Sequence, residues 1–244
     1  MIVLASAWDD AARDFVARHA LAGVSLLVPR DLSRCGWRYQ PGDPAATIMV
    51  AGGRRFLLSE AGGVLTRLPA VTDADLPHIA AADRAYVAAE LTAFLLAVLA
   101  SATVPVLNAP TPQLLCGPAW QDTRWRRLAH RCGFAVKEAR SHAILGAAAA
   151  EEELPRATVT VVGDACIGAP NPVLSAAARA VAKAAGAALL TVEFDDPGPY
   201  GTVLRASPLV DLGDPLVEAA VLRLFGMADA GRARTELDDR SLGG

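Results

Sequence analysis

Short apolar runs alternate with helix-compatible stretches along most of this chain, and that alternation constrains the fold more than any single residue does. Ile2–Ala5 reads as a buried strand, Asp9–His19 as a helix that Asp9 or Asp10 can cap, and Val24–Val28 as a second strand stopped by Pro29. Residues Asp31–Pro44 are rich in turn formers. Thr47–Val50, Arg55–Leu58 and Gly63–Leu68 then read as short strands, with Gly52-Gly53 suited to a hairpin. A long helix is expected over Pro77–Ala100, a strand over Thr103–Leu107, and a helix over Asp122–Arg131 that ends at Gly133. The second half repeats the pattern: strand Ala157–Val162, helix Ser175–Ala185, strands Ala188–Phe194 and Thr202–Ala206, and helix Pro215–Phe225. The chain is therefore read as α/β. Residues Ala143–Glu153 are low in complexity and read as an exposed helix or a linker, so a boundary is expected within Arg140–Arg156. That gives parts at 1–140 and 141–227, followed by a charged tail, 228–244, expected to be disordered.

Composition narrows the function classes. With 244 residues the chain can bury one ample core or two small ones. Its net charge of −3 lacks the basic excess that phosphate neutralisation demands, which argues against a nucleic-acid partner. The 23 basic residues include only two lysines, Lys137 and Lys183, so few remain for any phosphate site. Coding bias toward arginine and alanine accounts for most of that scarcity.

Cys35, Cys116, Cys132 and Cys166 are widely separated, and with the four histidines they offer no zinc-ligand spacing. Reduced thiols and a cytoplasmic setting are expected. The opening MIVLASAWDD has no basic leader region, and the apolar stretch Leu91–Ala100 is about half the length that crosses a bilayer, so no membrane association is expected.

No GxGxxG follows the first strand, and no GxxxxGK[ST] loop or GxSxG elbow occurs. Glu151–Glu153 reads as a solvated run. Two positions stand out because ligands of open α/β sheets sit beyond the carboxyl ends of strands. Arg67 follows the strand-like run at Gly63–Thr66, and Asn108 ends the one before Pro110. Together they could recognise a carboxylate or an amide. The plainer alternatives are that Arg67 pairs with an acid such as Asp83 and that Asn108 satisfies a turn.

The ordered segments GVLTRLP, DRAYVAAELTAFLLAVLA, PVLNAP and WRRLAHRCGF resemble the pre-ATP-grasp half of RimK-like ATP-grasp ligases, above all the graspetide-making peptide ligases. TVTVVGDACIGA and ARAVAKAAGAALLTVEFDDPGPYGTVLRASP resemble late parts of their ligase core. The resemblance implies a Rossmann-like pre-ATP-grasp domain followed by a truncated ATP-grasp-like domain, and ATP with Mg²⁺ as the cofactors of an active member. Two departures bear on function. About twenty residues separate Phe134 from Ala157, where the family holds much of its nucleotide-binding subdomain, and Lys137 is the only lysine there. Where the family pattern ends a strand in L-E-x-N-P, with two oxygen ligands for Mg²⁺, this chain reads Leu204-Arg205-Ala206-Ser207-Pro208. Arginine has no acceptor, so Arg205 cannot ligate a cation. Of the preceding acidic position only Glu193 remains.

The resulting expectation is a degenerate, non-catalytic accessory or binding protein in peptide or small-molecule modification, with no cofactor. Its expected partners are a peptide or an active ligase, and homo-oligomerisation is left open. The alternative is an active carboxylate–amine ligase with atypical ligands for ATP and Mg²⁺. Arg205 either receives an anionic group or pairs with Glu193 or Asp195.

Overall fold

A computed structural model describes residues 1–136 and 154–227. Lys137, the expected linker over 143–153, the glutamate run and the expected disordered tail fall outside the described residues.

The strands are β1 (Ile2–Leu4), β2 (Ser25–Leu27), β3 (Ile48–Ala51), β4 (Arg54–Leu57), β5 (Val64–Thr66), β6 (Val106–Leu107), β7 (Ala157–Val162), β8 (Ala165–Ile167), β9 (Leu189–Phe194) and β10 (Val203–Ser207). The helices are α1 (Asp10–His19), α2 (Arg84–Ala100), α3 (Asp122–Arg131), α4 (Pro172–Ala185) and α5 (Pro215–Leu224). The α/β reading holds. Among the described residues no helix is long and apolar enough to cross a membrane.

The described chain divides into two compact units. The first is Met1–Gly117 with the segment beginning at Asp211, and the second is Pro118–Val210. This differs from the boundary expected at 140/141, for reasons local to each unit. α3 belongs with the second unit because Trp125 and Ala129 are buried in its core. α5 belongs with the first because Glu218 pairs with Arg18 and His19 at the end of α1.

The first unit is built on a parallel sheet in the order β2-β1-β5-β6. β3 and β4 form a separate hairpin through Gly52-Gly53. Leu4, Leu27, Met49, Leu58, Val64, Leu95 and Leu115 share its core. The expected long helix starts at Arg84 rather than near Pro77, since Asp73–Asp75 forms a separate single turn and Pro77 follows it.

The second unit carries an antiparallel sheet in the order β10-β9-β7-β8. Its core gathers Trp125 with Val159, Val161, Leu174, Val181, Val192 and Phe194. α4 begins at Pro172, three residues before the expected start, because the Asn171 side chain caps the amides of Val173 and Leu174.

Candidate functional site

In the first unit the chain leaves β1 toward β2 on one side and returns to β5 on the other. The reversal makes the carboxyl ends of β1 and β5 a topological switch point, the position where open α/β sheets receive ligands. Arg67 and Asn108 both lie at this edge, one residue past neighbouring parallel strands.

Arg67 is fixed from two directions. Its amide donates to the Leu4 carbonyl at 2.8 Å, and its Nε donates to Asp9 Oδ2 at 2.8 Å. The partner is Asp9, not the expected Asp83, because β1 and β5 pair in register and bring the loop after β1 beside Arg67. Asp9 also caps α1, its Oδ1 accepting from the Ala12 amide at 3.0 Å. One carboxylate thus orients the arginine and starts the helix.

Asn108 is buried, and its Nδ2 donates to the Cys116 carbonyl at 3.5 Å. The Thr66 hydroxyl reaches the carbonyls of Leu107 and Asn108 at 3.0 and 2.9 Å. A Cβ on Gly117, whose φ is +86°, would lie 2.6 Å from Asn108 Cβ, so only glycine lets this turn close over the asparagine. In the same unit Ser6 donates to Asp75 Oδ1 at 2.6 Å. Burial pushes the Cys116 thiol up to about 11, against the opposing pull of its own backbone hydrogen bond and the Arg67 charge.

The other two candidates, Arg205 and Glu193, lie in the second unit. They stand opposite each other on β10 and β9, and Arg205 Nε donates to the Glu193 carboxylate. This is the plainer of the two roles expected for Arg205. Asp195 serves a different purpose: it accepts from the amide and the hydroxyl of Thr202, each at 2.7 Å, and closes the turn between the strands.

This donor set does not fit a Mg²⁺–nucleotide site. A magnesium ion needs an octahedral shell of oxygens, and here one strand offers a guanidinium while the facing carboxylate is engaged by it. Among the described residues no three His, Cys, Asp or Glu side chains gather as a metal site.

No family model and no curated protein matches this chain. Solved structures do. The macrocyclase MdnC bound with precursor peptide MdnA, from Microcystis aeruginosa MRC, aligns with a TM-score of 0.64 at 12% identity, covering 92% of this chain and 99% of that one. The ATP-grasp ligase PsnB complexed with a minimal precursor aligns with a TM-score of 0.62 at 12% identity, covering 91% and 98%. The chain has the ATP-grasp ligase fold. A RiPP-associated ATP-grasp ligase of Chryseobacterium gregarium, in complex with ADP and a leader and core peptide, agrees at a TM-score of 0.58 and 11% identity, covering 94% and 95%. At these identities the ATP-grasp likeness is one of fold, and it accords with the resemblance carried by the ordered sequence segments.

Proposed function

We propose that this chain is a non-catalytic relative of the ATP-grasp peptide ligases, acting as a binding or accessory protein in a modification pathway. The Arg205–Glu193 pair carries this reading. Phosphoryl chemistry on ATP relies on cations that neutralise developing negative charge, with oxygen donors to hold the metal. Here an arginine replaces one such donor and engages the next. The short interval between Phe134 and Ala157 points the same way, since it leaves little chain for a nucleotide-binding subdomain.

A peptide is the ligand class we favour, because structures of the same fold hold precursor peptides. We assign its contact in the first unit to the switch point beyond the carboxyl ends of β1 and β5, where Arg67 and Asn108 lie. The remaining assignments, a cytoplasmic setting and a shortened second part, belong to the same proposal.

Isothermal titration of the full chain with Mg-ATP tests the reading. It calls for no saturable heat up to millimolar nucleotide. Micromolar, magnesium-dependent binding would overturn it in favour of an active carboxylate–amine ligase with atypical ligands.

A further inference from the structure

We propose that the groove between α3 and α4 is a docking site for an acidic peptide segment of a partner protein. The inference names a partner chemistry for the binding role above and rests on that reading for its biological setting, but its evidence lies elsewhere in the molecule.

α3 divides its residues sharply. Trp125 and Ala129 are buried, and Arg126 is tied down by donating to the Leu204 carbonyl at 2.8 Å. Arg124, Arg127 and Arg131 are exposed and recur at intervals of three and four, which aligns them along one stripe about 10 Å long. With Trp120, Leu128 and Ala184 of α4 they line a groove of about 490 Å³. Among the described residues no acidic side chain lines it.

Three like charges at this spacing repel one another, yet the described residues lining the site supply no counter-charge. Among the described residues the side chains of Arg127 and Arg131 enter no ion pair or hydrogen bond, and Arg124 sits 3.9 Å over the Trp120 ring. The chain as a whole is acidic, so this is a local concentration of positive charge rather than a general one. Guanidinium groups match carboxylates in planar, bidentate geometry. Leu128 and Ala184 add an apolar floor for the stems of acidic side chains.

Charge alone would also suit a nucleic acid, but the aromatic geometry does not. The Trp120 ring is already engaged by Arg124 and by Trp125, whose centroid lies 4.7 Å away at a 38° tilt, so it is no platform for stacked bases. A stripe one short helix long, on a protein of negative net charge, suits carboxylates spaced three or four residues apart.

The test is fluorescence anisotropy on the full chain. Its probe is a labelled alanine-based peptide of about 14 residues with glutamates every third or fourth position. The expected result is saturable binding at low salt with a Kd of roughly tens of micromolar, weakened at least tenfold by molar salt. A glutamine version of the peptide should not bind. The double variants R127E/R131E and R127Q/R131Q should each weaken binding at least tenfold, at a melting temperature near that of the parent. No binding of the glutamate peptide, or binding that both variants leave intact, would overturn the proposal. So would tighter binding of an oligothymidylate that the same variants abolish. Mg-ATP binding with peptide binding intact would sink the non-catalytic reading and leave this site standing. The converse result would sink this site alone.

Discussion

Arg205 and Glu193 face each other directly across the β10–β9 ladder and form an ion pair with side chains about one-third and one-quarter exposed. In Arg205→Glu two carboxylates would stand opposite each other, which is destabilising, while donors for a cation would be restored. We expect a loss of about 1–2 kcal/mol in chelator, given the partial exposure of the pair. Millimolar Mg²⁺ should recover part of that loss in the variant and leave the parent unchanged. Thermal melts with and without Mg²⁺ check it, and a variant indifferent to the cation would show that the strands do not present those oxygens together.

The order of elements was legible because each depends on local signals, such as the Gly133 that follows α3 and the Pro29 that stops β2. Edge effects were less so. Thr103–Leu107 reads as a five-residue strand, but only Val106 and Leu107 pair with β5. The β8 hairpin strand was missed altogether. Arg67 was legible as a strand-end candidate, whereas its partner was not, since Asp9 lies 58 residues away and meets it only through the β1–β5 register. The spacing of Arg124, Arg127 and Arg131 is visible in the sequence. That no acid among the described residues lines their groove is a tertiary fact.

The Arg67–Asp9 pair is largely shielded, with the Arg67 side chain 9% exposed. Removing one partner of such a pair leaves a charge in a poorly solvated place. Arg67→Ala should cost about 2–4 kcal/mol. Asp9→Asn should cost less, because the amide oxygen still caps α1. The double variant should be less destabilised than the sum, and urea unfolding of all three measures that coupling.

Glu218 ties α5 to α1 through Arg18 and through His19 Nε2, which donates to Oε1 at 2.9 Å. Burial would push its carboxyl up, but the hydrogen bonds and charges of Arg18 and His19 bring it below the usual range. A depressed carboxyl contributes stability that is present above its unfolded value and lost as pH falls through the folded one. Glu218→Gln should therefore be less stable than the parent at pH 7, by about 1–2 kcal/mol, and the gap should close below about pH 4. Melting temperatures across that range give the answer, and a gap constant with pH would rule out the carboxylate as its source.

Cys116 and Cys35 should separate cleanly under thiol labelling. Cys35 is exposed, while Cys116 is fully buried beneath the Asn108–Gly117 turn with its thiol pushed up to about 11. The thiolate is the reacting species, so at pH 8 only about one Cys116 in a thousand is ionised, and that fraction is shielded from reagent. Iodoacetamide followed by peptide mass spectrometry should find Cys35 modified promptly and Cys116 only after unfolding. Gly117→Ala would force a Cβ to within 2.6 Å of Asn108 at a backbone conformation that side chains rarely adopt. It should destabilise the fold by at least about 2 kcal/mol. It should also bring Cys116 labelling into native conditions, because the turn that covers the thiol is the one that must move. Equal labelling of the two cysteines in the parent protein would show that this sheet edge opens without help.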